Sequence, residues 1–247
     1  AEYLTTGNAL KTERYRWNFM LRGMGRSAND YNRFFGLVAA LNSPASSYTA
    51  AVEATVAVEE WMGIFAYEHL VGQWDSLGYR SSANMYFYKG QQARWTLVPW
   101  DVDISFVADG PRSDLFLASY PVMQRLTSHP PFRRAYWRTL QDAANGPLTA
   151  DKSNAMMDAR YAALRANGIA AAPPDSIKSY INQRRAYVLE QLALVAAPFA
   201  VSGPAQFNTT SNLVILRGTA PVELETLAVN GRVWPVTWTS VTNWELS

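Results

Sequence analysis

The sequence predicts an α+β fold, in which a mostly helical body carries a small β-hairpin and is followed by a partial all-β module. Apolar residues recur at spacings of three and four over most of residues 30–195, as in amphipathic helices. Two aromatic and β-branched runs, Asn84–Lys89 and Arg94–Pro99, interrupt that pattern and predict the hairpin. Near Pro198 the period changes from 3.6 to 2, and Asn230-Gly231 is a strong signal for a two-residue hairpin turn.

Five stretches are predicted to be helical. The first begins at Asp30 and is stopped by Asn42-Ser43-Pro44. The second starts at Val58, runs for about four turns and delivers the chain to Trp74 and Asp75. The other three are predicted at Pro131–Ala144, Thr149–Asn167 and Pro174–Val195.

Charged and polar residues within these helices have ordinary expected places. His69 falls on an apolar stripe and is expected to be half-buried and hydrogen-bonded. The Arg133-Arg134 and Arg184-Arg185 pairs are expected on helix surfaces rather than in a nucleic-acid patch.

Composition narrows the classes of function. Hydrophobic residues make up 49% of the 247 residues, which is enough for a sizeable core. The net charge of +2 argues against nucleic acid or an anionic membrane as the main partner. The absence of Cys excludes disulfides and thiolate chemistry, and two His argue against a histidine-rich metal site. No apolar run approaches the ~20 residues of a membrane helix.

Asp101 and Asp103 lie two residues apart after the second run of the hairpin. If Leu97–Ile104 is extended, both carboxylates leave one face, about 6–7 Å apart, while Trp100 and Val102 face the core. Pro99 cannot donate to a ladder, so this strand lies at an edge or ends there. Two such acids suit Mg²⁺, which takes one or two carboxylates and keeps water or phosphate oxygens as its other ligands.

Two upstream residues extend this candidate site. Asp75 closes the second helix and Asn84 opens the hairpin, which gives the order acid, amide, acid that phosphoryl transfer uses. Other interpretations remain open. Asp101 and Asp103 are also compatible with a solvated strand end or an Asx-turn, Asp75 with a simple helix end, and Asn84 with an ordinary strand start.

Beyond these spacings, the sequence around the hairpin resembles the CotH kinase family, the spore-coat-protein-H-like atypical protein kinases. The similarity covers roughly residues 12–195. It rests on Gly72-Gln73-Trp74-Asp75, Asn84-Met85-Tyr86-Phe87-Tyr88 and Trp95-Thr96-Leu97-Val98-Pro99-Trp100-Asp101-Val102-Asp103-Ile104-Ser105-Phe106.

This resemblance implies the large lobe of a kinase-like fold, which would use ATP with Mg²⁺ or Mn²⁺ to phosphorylate Ser/Thr of secreted or surface proteins. It implies that Asp75 is the catalytic acid and that Asn84 and Asp101 bind the metal. Asp103 would be a second metal ligand or an orienting neighbour. Residues 1–198 would form this domain, with the nucleotide-clamping lobe largely missing, because only about 30 residues precede the first predicted helix.

Lys89 on the hairpin and Arg80 in the Gly78–Ser82 loop are candidates for contacts to a nucleotide phosphate. A solvated strand lysine and a solvated loop arginine are the alternatives. Residues 199–247 are similar to the first strands of immunoglobulin-like repeats appended to bacterial surface proteins, through Leu216–Pro221 and Val229-Asn230-Gly231. A secreted or cell-surface bacterial location is therefore expected.

Two other function classes compete with the kinase. In the first, the kinase-like body is a non-catalytic scaffold for surface binding. In the second, a glycoside hydrolase would use paired carboxylates. Acids two residues apart on one strand fit that poorly, because they do not flank a sugar from opposite sides.

Overall fold

The computed structural model describes residues 19–22, 30–81, 83–91, 93–106, 109–204, 206 and 208–247. These residues form two compact units. The first contains the described residues up to Val58 together with Phe87–Thr96, and the second contains Glu59–Tyr86 and Leu97–Ser247. The segment before the first helix, on which the expectation of a missing lobe depends, lies mostly outside the described residues.

The first unit is built on two short helices, α1 (Asn32–Leu41) and α2 (Tyr48–Thr55), joined by a 3₁₀ turn at Ala45–Ser47. The predicted three-four spacing is confirmed in α1, which buries Phe34, Leu37, Ala40 and Leu41. The ring of Phe34 packs edge-on against Trp95, at 6.2 Å between centroids. The sequence pattern did not predict α2.

Among the described residues of the second unit, four of the five helices agree closely with predicted ones. Pro121 at the start of α4 and Pro130 and Pro131 at the start of α5 occupy the first helical turn, where a missing N–H costs nothing. The helix α4 was not predicted, because its eight residues are too few for a clear periodic pattern. The five helices are α3 (Val58–Val71), α4 (Pro121–Ser128), α5 (Pro130–Asn145), α6 (Ala150–Ala166) and α7 (Asp175–Leu194).

The predicted hairpin is confirmed as a two-stranded sheet of β1 (Met85–Tyr88) and β2 (Thr96–Pro99). The strand β2 ends at Pro99, as expected for a residue without a backbone donor. In the second unit, Glu60 on α3 accepts a hydrogen bond from the Leu97 amide at 3.2 Å and so ties β2 to that helix.

The C-terminal residues form an all-β module in which four strands have the antiparallel order β3-β4-β8-β7 and β5 pairs with β6. At the β5–β6 turn, Asn230 (φ 51°) and Gly231 (φ 77°) are both left-handed, which confirms the predicted turn. The strands are β3 (Ala200–Val201), β4 (Leu216–Thr219), β5 (Leu227–Val229), β6 (Arg232–Trp234), β7 (Thr237–Trp238) and β8 (Asn243–Leu246). This arrangement does not by itself support the immunoglobulin-like assignment, and that assignment and the boundary at residue 198 stay predictions.

Two arginines expected on helix surfaces are buried, and that expectation was wrong for both. Arg134 on α5 is 1% exposed and Arg184 on α7 is fully buried. Arg184 donates to the backbone carbonyls of Pro111 (3.2 Å), Ser113 (2.6 Å) and His69 (2.7 Å). Buried cations of this kind are held by carbonyl oxygens that come from distant parts of the chain.

Arg134 fastens the all-β module to α5. Its guanidinium lies over the Trp238 ring, 3.3 Å from the centroid. It donates to four module carbonyls, those of Pro221 (2.7 Å), Val222 (3.3 Å), Leu224 (2.6 Å) and Val241. The module is therefore packed on the helical part of the second unit.

Among the described residues, no helix combines the length and the apolar character needed to cross a membrane.

Candidate functional site

The site begins where α3 ends. Gly72 is left-handed (φ 70°), its amide donates to the His69 carbonyl at 3.3 Å, and the Gln73 amide donates to the Glu68 carbonyl at 2.8 Å. This is a Schellman cap, which satisfies the last carbonyls of the helix. The helix therefore stops at Val71, and the prediction that Asp75 closes it was wrong.

Asp75 and Asn84 are in direct contact. The Asn84 side-chain amide donates to the Asp75 carboxylate (Oδ2) at 3.0 Å and to the Asp75 backbone carbonyl at 2.9 Å. Asn84 is left-handed (φ 57°), a conformation that asparagine tolerates better than most residues. The structure thus brings together the upstream acid and the amide, which lie on opposite sides of the Gly78–Ser82 loop.

The stretch after β2 is a turn and not the extended strand predicted for Leu97–Ile104. Pro99 ends the strand, Asp101 is left-handed (φ 56°), and the Ser105 amide donates to the Val102 carbonyl at 3.4 Å. Trp100 (61% exposed) and Val102 therefore face solvent, contrary to the expectation that they face the core. Asp101 and Asp103 are also exposed, on a turn. We call residues 100–106 the acid turn.

Three hydrogen bonds hold the acid turn. The Trp100 amide donates to the Asn84 carbonyl at 2.9 Å, and the Phe106 amide donates to the Val71 carbonyl at 2.7 Å. Between them, the Gln73 side-chain amide (Nε2) donates to the Asp101 carbonyl at 2.9 Å. The turn that carries both acids is therefore attached to the cap of α3 and to the residue that binds Asp75.

Backbone strain is concentrated here. Within the described part of the chain, four non-glycine residues have positive φ: Asn84, Asp101, Phe106 (φ 68°) and Asn230. Asn230 belongs to a hairpin turn that requires this conformation. The other three lie at the candidate site, and each left-handed residue of this kind costs about 1 kcal/mol or more, which the surrounding contacts must offset. Such residues cluster at functional sites.

The two basic candidates lie in different environments. Arg80 forms an ion pair with Asp109 at 3.2 Å, and its side chain is 43% exposed. Asp109 also accepts a hydrogen bond from the Tyr79 hydroxyl. Lys89 is partly buried and follows β1, in the part of the hairpin that belongs to the first unit.

The carboxylate oxygens of the acid turn suit a metal ion that the protein binds through only one or two side chains. Asp101 and Asp103 present exposed carboxylates, which are the hard oxygen ligands that Mg²⁺ and Mn²⁺ prefer. Within the described ranges, no group of three or more His, Cys, Asp or Glu side chains is arranged to hold a metal. Mg²⁺ commonly takes one or two carboxylates and completes its shell with water and substrate phosphates, and this donor set suits that mode of binding.

Comparison with known proteins indicates the family of this chain. The sequence model of the family described as CotH kinase protein matches residues 22–188, about two thirds of the chain. The chain belongs to the CotH kinase family. Searches of curated proteins and of solved structures gave no match. The matched range contains all six residues predicted for the site. The family suggests a kinase-like protein, whereas the immunoglobulin-like assignment gains no support from it.

Below the site of this CotH kinase family member lies a buried carboxyl that sequence reasoning did not single out. Glu68 on α3 is 5% exposed, and burial raises its pKa to about 8. The nearby Ser76 hydroxyl and Gly78 amide favour the ionised form, but they do not offset the lost hydration. Neither Glu68 Oε2 nor Ser76 Oγ has a well-formed hydrogen bond among the described atoms. Glu68 is therefore protonated at neutral pH, directly under the loop that follows Asp75.

His69, the next residue on α3, is fully buried, more than predicted, and is hydrogen-bonded as predicted. Its Nε2 lies 2.8 Å from the Leu117 carbonyl and its Nδ1 lies 2.8 Å from the Phe65 carbonyl, so either neutral tautomer donates to one of these carbonyls. The Tyr136 hydroxyl lies 2.9 Å from Nδ1. Burial lowers its pKa to about 4. The imidazole is neutral at physiological pH and has a packing role.

Gln73 was also missed as a site residue, although a signal was present. The sequence pattern placed it on the apolar stripe of the helix. A polar residue at such a position, directly before Trp74 and Asp75, is expected to have a specific hydrogen-bond partner, because a buried amide without one is costly. The identity of that partner, Asp101, depends on contact between residues 28 positions apart.

Proposed function

We propose that this CotH kinase family member performs ATP- and divalent-metal-dependent phosphoryl transfer to Ser/Thr of secreted or surface proteins. The observation that carries the proposal is the hydrogen-bonded chain Asp75–Asn84–Trp100, which leads directly to Asp101. It links the acid, amide and acid of a phosphoryl-transfer site in one connected set. The strained backbone at Asn84 and Asp101 supports the same proposal.

Each residue has a distinct role in this proposal. Asp75 is the acid beside the attacking hydroxyl, and Asn84 orients it. Asp101 is the main metal ligand and Asp103 the second, and Asn84 is proposed as a further ligand. When bound, Mg²⁺ or Mn²⁺ would offset the negative charge of the ATP phosphates. Water and phosphate oxygens would fill the other ligand positions of the metal ion.

Arg80 is proposed to contact the nucleotide phosphates, and Lys89, which belongs to the first unit, stays a separate candidate for such a contact. The ion pair of Arg80 with Asp109 is partly exposed, so its net contribution to stability is small, about 0–1 kcal/mol. The guanidinium is therefore accessible to a phosphate that takes the place of Asp109, while Asp109 keeps the hydrogen bond from the Tyr79 hydroxyl. Such an exchange would replace one charge-assisted bond with another of similar strength.

The replacement Asp101→Asn is expected to raise the Mn²⁺ or Mg²⁺ concentration needed for half-maximal transfer, and to reduce transfer at least about 100-fold at low metal. The reason is that an amide oxygen carries no charge to attract the cation. The measurement is transfer of labelled phosphate from ATP to the chain itself and to casein, a general Ser/Thr acceptor, over a series of metal concentrations.

A matched control for Asp101→Asn is Asp142→Asn, which makes the same chemical change at an exposed position on α5. This control is expected to match the unchanged protein at every metal concentration. Transfer by Asp101→Asn with an unchanged metal requirement would show that Asp101 is not the ligand.

The replacement Asp75→Asn is expected to lower kcat by about 100-fold or more without changing the metal requirement. Asparagine keeps an oxygen that can accept from Asn84, but it cannot take a proton from the attacking hydroxyl. Comparison of kcat with the half-saturating metal concentration separates this variant from Asp101→Asn. Equal metal shifts in both variants would contradict the separate roles.

A non-catalytic binding module is the second candidate. The exposed rings of Tyr86 and Trp100, 6.0 Å apart between centroids, favour it, because exposed aromatic side chains are typical of binding surfaces. Titration calorimetry with ATP, Mn²⁺ and both together discriminates between the two functions. A heat of ATP binding that depends on Mn²⁺ supports the kinase. The absence of binding heat in all three titrations supports the binding module.

A further inference from the structure

Gln73 stands apart from the other polar residues around the acid turn, because it reaches the turn by its side chain and from the protein interior. It is 1% exposed, whereas the acids on the turn are exposed. Its Nε2 donates to the Asp101 carbonyl at 2.9 Å. The two other bonds that hold the turn are made between backbone groups, from Trp100 to Asn84 and from Phe106 to Val71. Of these three attachments, only that of Gln73 depends on the identity of a side chain.

The bonded carbonyl belongs to a residue in an unfavourable backbone conformation. Asp101 is left-handed, and a hydrogen bond to its carbonyl fixes the orientation of the peptide plane that follows it. Fixing this plane restricts ψ of Asp101 and therefore the direction in which the chain leaves it towards Asp103. Without such a restraint, a non-glycine residue tends to relax to negative φ.

The position of Gln73 is itself fixed. Its amide closes the Schellman cap of α3 by donating to the Glu68 carbonyl, and it lies two residues before Asp75. The side-chain oxygen of Gln73 (Oε1) lies 3.5 Å from the Ser105 hydroxyl, which donates more closely to the Val102 carbonyl, at 2.8 Å. The Ser105 contact is thus the weaker one, and the bond to Asp101 carries most of the restraint.

We infer that Gln73 is a positioning residue that holds Asp101 in its left-handed conformation and so couples the Asp75 loop to the metal-binding turn. The part of this inference that concerns metal rests on the proposed function. The part that concerns the turn does not, because it follows from the hydrogen bond and the backbone conformation alone.

The test uses the full chain with Gln73→Met, which keeps the length of the side chain and removes both polar groups. Hydrogen exchange is measured in the metal-free protein for the peptide that spans residues 100–106. The amides of Trp100, Ser105 and Phe106 are hydrogen-bonded there, so their exchange reports the order of the turn. Exchange in this peptide is expected to quicken at least about fivefold, while peptides from α7 keep their rates.

The second readout is the affinity for Mn²⁺, measured by calorimetry in the presence of an ATP analogue that is not hydrolysed. Loss of a residue that orients a ligand typically weakens metal binding about 10- to 100-fold, and that range is expected for Gln73→Met. The variant Gln73→Leu, which also lacks a donor, is expected to behave in the same way. Gln183→Met, the same replacement at an exposed position on α7, is the matched control and is expected to change both readouts less than twofold.

Thermal unfolding separates positioning from general damage to the fold. If Gln73→Met melts close to the unchanged chain and quickens exchange only in residues 100–106, the inference is supported. Unchanged exchange there in both Gln73 variants would overturn it. If the unchanged protein binds no Mn²⁺ and transfers no phosphate, the proposed function fails, and the exchange result alone still decides whether Gln73 holds the turn.

Discussion

Replacement of Arg134 by methionine is expected to lower the free energy of unfolding by about 3–5 kcal/mol. The guanidinium is buried, donates to four carbonyls of the all-β module and stacks on Trp238. Burial lowers its pKa to about 10, so the group is still charged at neutral pH. Methionine fills much of the volume but leaves the carbonyls without donors, and each buried, unpaired acceptor costs roughly 1–3 kcal/mol.

The measurement is urea denaturation followed by far-ultraviolet circular dichroism and by tryptophan fluorescence, since Trp238 lies in the contact. Arg160→Met is the matched control, because Arg160 is exposed on α6, and its loss is expected to cost less than about 0.5 kcal/mol. Arg134→Lys keeps the charge but cannot reach several carbonyls with one ammonium group, so an intermediate loss is expected. Equal stability of the Arg134→Met and Arg160→Met proteins would contradict the anchoring role.

The elements that the sequence predicted well are those set by local rules. The turn at Asn230-Gly231 was recognisable because few other residues accept two consecutive left-handed conformations. Helix α7 (Asp175–Leu194) was bounded correctly to within one residue of the predicted Pro174–Val195. Proline at the start and an acidic first turn are signals that act within a few residues.

The acid turn was mispredicted because its conformation depends on distant residues. The run from Leu97 to Ile104 has the apolar and β-branched character of a strand, and local propensity favours the extended form. The left-handed Asp101 depends instead on Gln73, which lies 28 residues earlier in the sequence. Tertiary hydrogen bonds of this kind outweigh propensities that span only about 1 kcal/mol.

The buried arginines escaped prediction for a related reason. A charged side chain on a helix is expected at the surface unless partners are known, and the partners of Arg134 lie 87–107 residues further along the chain. They are also backbone carbonyls, which carry no sequence signal. By contrast, the acid, amide and acid of the candidate site could be proposed from the sequence, because each stands at the end or the start of a predicted element, and their roles stay predictions. Only the structure shows that Asn84 donates a hydrogen bond to the Asp75 carboxylate.

The buried carboxyl of Glu68 is expected to make this protein less stable as the pH rises above neutrality. Its pKa is about 8 in the folded chain against an ordinary value of 4.5, so the folded state binds more protons between these values. Stability from this group is complete below pH 4.5 and is lost as the pH rises through 8, at about 1.4 kcal/mol per pH unit. The total is roughly 5 kcal/mol.

His69 has the opposite effect over part of this range. Its pKa is about 4 in the folded chain against an ordinary 6.5, so stability rises with pH between these values. The two effects nearly cancel from pH 4.5 to 6.5. Only the effect of Glu68 remains from pH 6.5 to 8, where a net loss of about 2 kcal/mol is expected.

The variant Glu68→Gln isolates this behaviour, because the amide has nearly the same shape and does not titrate. Its free energy of unfolding, measured in urea at intervals of half a pH unit, is expected to rise from pH 4 to 6.5 through His69 and then to stay level. Glu60→Gln, an exposed acid on the same helix, is the control and should keep the fall above pH 6.5. An equal fall in the free energy of unfolding of Glu68→Gln and of the unchanged chain would show that another group titrates there.

Because Glu68 lies under Ser76 and Gly78, the loss of stability at alkaline pH should begin in the loop that follows Asp75. Hydrogen exchange of residues 76–81 should therefore quicken before that of α7.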